Sequence, residues 1–350
     1  MTFNITLLPG DGIGPEVTRE VVRVLEKIGT VYNHQFIFDT QLIGGAAIDA
    51  KGDPLPEETV TSCASADAIF LGAIGGPKWD DPNAKVRPEQ GILRIRKALN
   101  VFANLRPVTV YPQLFEKSPL KSHLLDGVDI MVVRELTGGI YFGEKTRGDR
   151  FAIDECKYTI EEIERITEVA CKLAMKRKKL VTSVDKANVL ETSRLWRDTV
   201  EKYVAKHYPE ITLEHQLVDS ASMKLIQQPA HFDVLLTENM FGDILTDEAS
   251  VLAGSMGLLP SASLGENNVG LYEPIHGSAP DIAGKGIANP YASILSAAMM
   301  LHQSLNLAEE ANVIESAVLN AISAGAFTPD LDSSSPKSTS EVTDVVLSYI

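Results

Sequence analysis

The stretch 232–257, FDVLLTENMFGDILTDEASVLAGSMG, constrains the fold more strongly than any other part of the sequence. The apolar run 234–236 is bounded by polar residues and predicts a buried strand. After Asn239 the apolar residues instead recur at the spacing of one helix face, at Phe241, Ile244, Leu245 and Leu252. A buried strand that leads directly into a helix is typical of α/β proteins, which bind ligands beyond the carboxyl ends of their strands.

The predicted helix carries two aspartates on one face. Asp243 and Asp247 are four residues apart and therefore lie one above the other. Two carboxylates at this spacing repel each other by about 0.2–0.5 kcal/mol on an exposed helix, and no Lys or Arg occurs between Lys224 and Lys285 to offset that repulsion. The pattern leaves two interpretations open: a solvated acidic surface, or carboxylate ligands for a hard cation, Mg²⁺ or Mn²⁺.

Composition narrows the class of protein. The chain has 350 residues, 44% of them hydrophobic and 23% charged, which indicates a soluble globular protein with one large or two medium domains. A formal net charge of −15 argues against nucleic acid and anionic membranes as partners. The three cysteines are scattered and form no CxxC pair, and the first residues do not resemble a signal peptide. We therefore expect a cytoplasmic protein.

Strand and helix patterns alternate along the chain, which indicates an α/β fold with a largely parallel sheet. Further apolar runs predict strands at 5–8, 68–74, 128–133, 180–184 and 213–218. The first of them leads into GDGIGPE at 10–16, which is neither a GxGxxG motif nor a P-loop. This turn has a structural interpretation, a tight connection, and a functional one, the approach of a phosphate or cofactor to the backbone.

Several polar residues follow the predicted strands. Arg106 and Arg134 each end an apolar stretch, where a guanidinium pairs either with a substrate carboxylate or with a structural acid. Tyr141, after a Gly-Gly pair, is either a core residue of a hairpin or a proton donor. Lys186 is either a surface residue or a catalytic base. Asp219 also follows a strand, so that it and the two helix aspartates can converge at one sheet edge.

Two segments outside the strands also stand out. The segment 273–290 is rich in Gly, Ala and Pro, and loops of this length in compact domains are often functional. Its His276 and Asp281 are suited to the adenosine half of a dinucleotide, with the acid favouring the free ribose 2′-hydroxyl of NAD; the alternative is an ordered loop without a ligand. The polar segment 144–158, called the arm below, predicts an exposed projection.

Six segments, in order along the chain, resemble the isocitrate/isopropylmalate dehydrogenase family and, among its members, the enzymes that act on isopropylmalate. They are GDGIGPE at 10–16, FANLRP at 102–107, RELTGGIY at 134–141, SVDKANV at 183–189, FGDIL at 241–245 and the loop 276–290. The resemblance implies NAD-dependent oxidation of a 2-hydroxy diacid and loss of its β-carboxylate. It also implies a two-domain α/β fold with a mixed sheet through both domains, which is not a standard Rossmann fold.

The resemblance assigns roles to individual residues. Lys186 would take the hydroxyl proton, and Tyr141 would protonate the carbon left after decarboxylation. Mg²⁺ or Mn²⁺ would be held by Asp219, Asp243 and Asp247. The implied substrate-binding residues are Glu89, Ile92, Leu93, Arg96, Arg106, Arg134, Val189 and Asp219. The implied cofactor-binding residues are Ile13, Glu273, His276, Gly277, Ser278, Ala279, Pro280, Asp281, Ile282 and Asn289.

The side-chain pocket distinguishes the candidate substrates. Ile92, Leu93 and Val189 would surround the isopropyl group, although Ile92 departs from the family's usual Leu-Leu pair. Apolar side chains would leave the third carboxylate of isocitrate unpaired, and Glu89 would repel it. The alternatives are a D-malate/tartrate-type decarboxylating dehydrogenase and a silent regulatory subunit. The intact set of tyrosine, lysine and aspartates argues against the latter.

The resemblance also implies the domain organisation. A discontinuous cofactor-binding domain would comprise 1–101 and 254–350, and a second domain, 102–253, would carry the metal site, the arm and the dimer interface. In the family's homodimer the arms exchange between subunits. Lys186 and Asp219 enter the partner's active site, so that each site would be shared.

Overall fold

The computed structural model describes residues 1–81, 83–266 and 269–350. The chain divides into two compact units: unit 1 is Met1–Val101 with Ser255–Ile350, and unit 2 is Phe102–Gly254. The sequence placed these divisions at 101/102 and 253/254. Both units alternate strands and helices, which confirms the mixed α/β class. Within the described ranges no helix is both long enough and apolar enough to cross a membrane.

The strands and helices are numbered in chain order. The strands are β1 Thr2–Gly10, β2 Gln35–Thr40, β3 Ala68–Ala73, β4 Ala103–Thr109, β5 Asp129–Glu135, β6 Lys145–Arg147, β7 Ala152–Asp154, β8 Leu180–Asp185, β9 Thr212–Leu217, β10 Val234–Thr237, β11 Pro260–Leu264 and β12 Leu271–Pro274. The helices are α1 Gly14–Tyr32, α2 Gly44–Lys51, α3 Glu57–Ser65, α4 Pro88–Ala98, α5 Ser122–Leu125, α6 Ile160–Met175, α7 Glu191–His207, α8 Val218–Gln227, α9 Asn239–Ser250, α10 Tyr291–Gln303, α11 Ala308–Ser323 and α12 Thr339–Ser348.

The strands of unit 1 lie in the order β2-β1-β3-β12-β11. The first four are mutually parallel, and β11 runs antiparallel to β12. Helix α10 is apolar around most of its circumference and is almost entirely buried, as such a helix must be in a soluble protein. Helix α1 instead has one apolar stripe, which includes the fully buried Val17, Val21 and Leu25. Because β11 is antiparallel to β12, the sheet of unit 1 is mixed rather than purely parallel.

The strands of unit 2 lie in the order β4-β5-β10-β8-β9, and only β4 is antiparallel to its neighbour. The apolar residues of β10 are fully buried, which confirms the predicted strand; a strand covered on both faces needs such a continuous apolar run. Parallel pairing places Thr237 opposite both Arg134 and Val184. The carboxyl ends of β5, β8 and β10 consequently share one edge of the sheet.

The predicted helix is confirmed as α9, but one residue of the predicted apolar face, Ile244, is not buried. Phe241, Leu245 and Leu252 are buried, whereas Ile244 is 57% exposed. At 3.6 residues per turn, Ile244 lies about 80° around the helix from the centre of the buried stripe. It therefore belongs to the exposed surface of unit 2 rather than to its core.

The arm contains a two-stranded antiparallel ribbon formed by β6 and β7. Its apolar side chains Phe151 and Ile153 are 59% and 56% exposed. An isolated two-stranded ribbon is at best marginally stable in water. Its exchange with a second subunit remains a prediction.

Candidate active site

Two of the predicted site residues of unit 2, Arg134 and Tyr141, meet at the carboxylate of a third, Asp243. Arg134, on β5, is 2% exposed, and its Nη1 donates a hydrogen bond of 2.7 Å to Asp243 Oδ1. The Tyr141 hydroxyl donates to the other oxygen, Asp243 Oδ2, at 2.8 Å. Asp243 thus joins the end of β5, the turn that carries Tyr141, and α9.

Tyr141 keeps its phenolic proton in this environment. Burial raises the pKa of Tyr141 to about 12, and the hydrogen bond to the negatively charged Asp243 acts in the same direction. The guanidinium of Arg134, whose carbon lies 5.9 Å from the centre of the tyrosine ring, opposes this shift of the pKa. The phenol is therefore neutral at physiological pH and retains the proton that it donates to Asp243.

Arg106 approaches the same carboxylate from β4. Its Nε donates to Asn104 Oδ1 at 2.7 Å and its Nη1 donates to Thr246 Oγ1 at 2.6 Å, while its Nη2 lies 4.0 Å from Asp243 Oδ1. The side chain is buried. Two buried guanidinium groups thus lie beside the Asp243 carboxylate, and guanidinium groups are well suited to binding carboxylates.

Asp243 and Asp247 lie one turn apart on α9, as predicted. Desolvation raises the pKa of Asp247; the charge of Arg106 opposes the shift, and the charge of Asp243 adds to it. A hard cation prefers such carboxylate oxygens and would favour their ionised form. Among residues 1–81, 83–266 and 269–350 of one chain, no group of three or more Asp, Glu, His or Cys side chains is placed to hold a metal ion. One chain therefore does not gather the three predicted metal ligands.

Asp219, the third predicted ligand, pairs with the predicted base. Lys186 Nζ donates to Asp219 Oδ1 at 2.9 Å, and this hydrogen bond is the main cause that lowers the pKa of the exposed Asp219. Lys186 follows β8 in a turn that its backbone N–H helps to fix by donating to Ser193 Oγ. Val189, in the same turn, is 60% exposed. Besides the cluster around Asp243, unit 2 thus has a second cluster of predicted site residues, the pair formed by Lys186 and Asp219.

The predicted substrate helix of unit 1 is α4. Arg96 is buried and donates through Nη2 to Glu273 Oε1 at 2.7 Å, so that a predicted substrate residue contacts a predicted cofactor residue. Within the described part of unit 1, the buried Nε of Arg96 has no hydrogen-bond partner. Glu89 is exposed, Leu93 is partly exposed, and Ile92 packs against the hydrophobic core of the unit. Part of the Ile92 side chain therefore belongs to the hydrophobic core of unit 1.

The turn after β1 holds the predicted cofactor loop. Ile13 N–H donates to the carbonyl oxygen of Ser278 at 2.8 Å. Gly12 has a φ of +58°, and a Cβ at this position would lie 2.0 Å from the same oxygen. Glycine is required here both by its backbone conformation and by the close approach of the loop.

A cleft of about 350 Å³ opens beside this turn in unit 1. Five predicted cofactor residues line it: Ile13, His276, Ala279, Ile282 and Asn289. Burial lowers the pKa of His276, whose Nδ1 lies 2.9 Å from the carbonyl oxygen of Gly277. Its buried Nε2 has no partner among the described residues. A polar ligand that offers one hydrogen bond fits this atom.

The other predicted cofactor residues do not line the cleft. Gly277, Pro280 and Asp281 are exposed, and Ser278 is buried with its carbonyl already bonded. Sequence reasoning missed Asp330, which lines the cleft and accepts hydrogen bonds from Asn289 Nδ2 at 3.0 Å and Ser255 Oγ at 2.5 Å. The sequence gives no local signal for this acid, because only the folded unit brings it to the loop.

Comparison with known proteins identifies the family. The isocitrate/isopropylmalate dehydrogenase family model matches residues 4–346. Two relatives named 3-isopropylmalate dehydrogenase are similar over almost their whole length: one from Anaeromyxobacter dehalogenans is 59% identical with 95% of each chain covered, and one from Bacillus subtilis is 55% identical with 100% of this chain and 98% of that one covered.

Solved structures agree with these sequence relatives. An isocitrate dehydrogenase from Methylococcus capsulatus has a TM-score of 0.88 at 37% identity, with 99% of each chain covered. A β-decarboxylating dehydrogenase from Thermococcus kodakarensis has a TM-score of 0.79 at 35% identity, with 99% of this chain and 96% of that one covered. The family resemblance of the six segments is thereby confirmed, and the chain belongs to the isocitrate/isopropylmalate dehydrogenase family.

Proposed function

We propose that this protein catalyses the NAD-dependent oxidative decarboxylation of 3-isopropylmalate to 2-oxo-4-methylpentanoate and CO₂ in leucine biosynthesis. The observation that carries the proposal is the convergence of Arg134 and Tyr141 on Asp243. That arrangement combines a carboxylate-binding cation, a protonated phenol and a metal-ligating acid. Relatives named for this substrate, at 54% to 59% identity, support the choice among the family's activities.

In this proposal the residues of the chain bind the substrate and move its protons. Arg106 and Arg134 bind substrate carboxylates through their guanidinium groups. Lys186 serves as the base that accepts the proton of the hydroxyl group. Tyr141, whose pKa is raised to about 12, delivers a proton to carbon after CO₂ has left. Mg²⁺ or Mn²⁺ on Asp243 and Asp247, with Asp219, would supply Lewis-acid polarisation of the substrate oxygens.

NAD would accept the hydride and lie in the cleft of unit 1. A flat heterocycle with polar edges fits the apolar walls formed by Ile13 and Ile282 and the His276 Nε2, which has no hydrogen-bond partner in the described part of the chain. Asp281 lies on the same loop outside the lining of this cleft, and its exposed carboxylate would accept a hydrogen bond from a ribose 2′-hydroxyl and repel a 2′-phosphate. Asp281 therefore supports NAD rather than NADP.

The proposed assembly is a cytoplasmic homodimer whose subunits share their active sites. Exposed apolar side chains of α8 and α9, among them Met223 and Ile244, support an interface on unit 2. Apolar surface of this kind is typical of a site of association. A partner subunit would bring its Lys186 and Asp219 to the metal-binding face of α9, which would complete the set of three aspartates.

The test is NADH formation with 3-isopropylmalate, isocitrate and D-malate in turn, each with Mg²⁺ and with EDTA. A strong preference for isopropylmalate that disappears with EDTA is the expected result. A preference for D-malate would favour the malate/tartrate-type alternative. Inactivity with all three substrates would favour a silent regulatory subunit.

Glu16 provides a test of the cofactor site alone. Its carboxylate, in the first turn of α1, accepts hydrogen bonds from the backbone N–H groups of Gly284 and Gly286 and so fixes the far half of the cofactor loop. Glu16→Gln exchanges one acceptor oxygen for a donor that faces a backbone donor. We expect the KM for NAD to rise by about tenfold, because one charged hydrogen bond of about 1.4 kcal/mol is lost.

Steady-state kinetics with NAD varied at saturating isopropylmalate measure this effect. Glu26→Gln, at an exposed position of the same helix, is the matched control and should leave the KM unchanged. An unchanged KM in Glu16→Gln would separate the loop from NAD binding.

A further inference from the structure

Asn239 occupies the centre of a hydrogen-bond network in unit 2. It is completely buried and is the first residue of α9. Its Oδ1 accepts from Arg134 Nη2 at 2.8 Å and from Nε at 3.2 Å. Its Nδ2 donates to the carbonyl oxygens of Leu136 and Gly138, both at 3.1 Å. Both lone pairs and both protons of the side-chain amide are therefore used.

The backbone of Asn239 strengthens the same network. Its carbonyl oxygen accepts a further hydrogen bond of 2.8 Å from Arg134 Nε. Its N–H donates to the Tyr158 hydroxyl at 3.0 Å, and that hydroxyl lies 3.3 Å from Glu238 Oε2. The backbone at the start of α9 and Tyr158, the last residue of the arm, thus together fix the position of the Asn239 side-chain amide.

The two halves of the amide control two different functional groups. Its oxygen orients the guanidinium of Arg134, whose remaining nitrogen Nη1 then faces Asp243. Its nitrogen holds the carbonyls at 136 and 138, which directly precede the turn Gly139–Tyr141. A rotation of the amide by 180° would place its oxygen against two carbonyl oxygens and its protons against a guanidinium. The network therefore permits only one orientation of the side chain.

We infer that Asn239 is a positioning residue that sets Arg134 and Tyr141 in register on Asp243. Its side chain ties the substrate-binding arginine to the backbone that carries the proton donor and, being completely buried, presents no surface to substrate or cofactor. The inference rests on the proposed function, in which Arg134 binds a carboxylate and Tyr141 donates a proton. It adds a residue to which that function assigned no role.

Asn239→Asp tests the two functions of the amide separately, because it keeps an acceptor oxygen and removes the donor nitrogen. The substituted carboxylate can still accept from Arg134, but it has no proton for the carbonyls at 136 and 138 and repels both. The guanidinium is drawn toward the new charge and away from Asp243, and the turn that carries Tyr141 loses two anchors. Because displacement of a catalytic group by about 1 Å costs about 10²-fold, we expect kcat to fall by about that factor and the KM for isopropylmalate to rise, with the KM for NAD unchanged.

Asp233→Asn is the matched control at the opposite end of β10. Asp233 is also completely buried and accepts hydrogen bonds from Arg177 Nε at 2.7 Å and Lys178 N–H at 2.9 Å. This variant makes the reverse Asp-to-Asn exchange and also breaks a buried network. It should lower the melting temperature yet leave the kinetic constants unchanged. If Asn239 had a purely structural role, both variants would lower the melting temperature and leave the kinetic constants unchanged.

Calorimetric binding of isopropylmalate with Mg²⁺ and without NAD is measured for the same proteins. A wild-type protein that binds the diacid but does not oxidise it would refute the proposed function alone. An Asn239→Asp variant that binds and turns over the substrate as Asp233→Asn does would overturn the inference alone. Should Asn239→Asp not fold, Asn239→Ser removes the amide without adding charge and should give the same kinetic split. Failure of both to fold, while Asp233→Asn folds, would also overturn the inference.

Discussion

Replacing Asp243 with asparagine should lower kcat for isopropylmalate by about a thousandfold. Asp243 accepts a hydrogen bond from Arg134 on one oxygen and from Tyr141 on the other. The asparagine amide cannot accept from both, so one donor loses its partner. The metal would lose a charged ligand at the same time. A loss of about 4 kcal/mol of transition-state stabilisation, ordinary for Lewis-acid catalysis, is about three factors of ten in rate.

Single-turnover and steady-state rates, each measured over a titration with Mg²⁺, determine whether the metal or the hydrogen-bond network causes the loss. A loss that excess Mg²⁺ partly reverses indicates weakened metal binding. Asp198→Asn, at an exposed aspartate that pairs with Lys202 on α7 of the same unit, is the control and should retain full activity. Full activity of Asp243→Asn would remove Asp243 from the mechanism.

Two inactive variants should regain activity when their subunits are mixed. Lys186→Ala and Tyr141→Phe each remove one proton-transfer group and should lower kcat by about 10²–10⁴-fold. If Lys186 serves the partner's site, a mixed dimer has one site with both defects and one site with neither. Random reassociation of equal amounts of the two variants should then restore about one quarter of the wild-type activity, because half of the dimers are mixed.

The control mixture pairs Lys186→Ala with Asp219→Asn. Both changes lie in the part of the site that one subunit would donate, so every site of the mixed dimer has one defect and no activity should return. Each variant alone is taken through the same subunit exchange. If the first mixture also stays inactive, Lys186 and Tyr141 of one chain serve the same site, and the shared-site proposal is wrong.

The sequence predicted the elements whose signals are local. The strand at 234–236 and the helix after it follow from a change of period within about twenty residues, and the paired aspartates follow from their spacing. The exposure of Ile244 does not follow, because burial depends on which other element covers a helix face. The helix spacing places Ile244 at the margin of the stripe, but it does not show how far the covering elements extend over that margin.

The positions of the site residues were predictable in part only. Tyr141, Lys186 and Asp243 were singled out by their positions after predicted strands, and the family resemblance assigned their roles. The parallel order of β5, β10 and β8 explains why they reach one sheet edge. Contacts between distant segments had no sequence signal. The hydrogen bond between Asn289 and Asp330 and the four bonds of the Asn239 amide depend on tertiary packing.

The discontinuity of unit 1 determines the order in which the newly made chain can fold on the ribosome. Strand β3 pairs with β12, as Ile69 with Leu271, so that its partner is synthesised about 200 residues later. Unit 2 lies wholly between them and is complete first. The unit that begins the chain is therefore the last to finish folding, and the edge of β3 that later pairs with β12 stays unpaired and open to aggregation during synthesis.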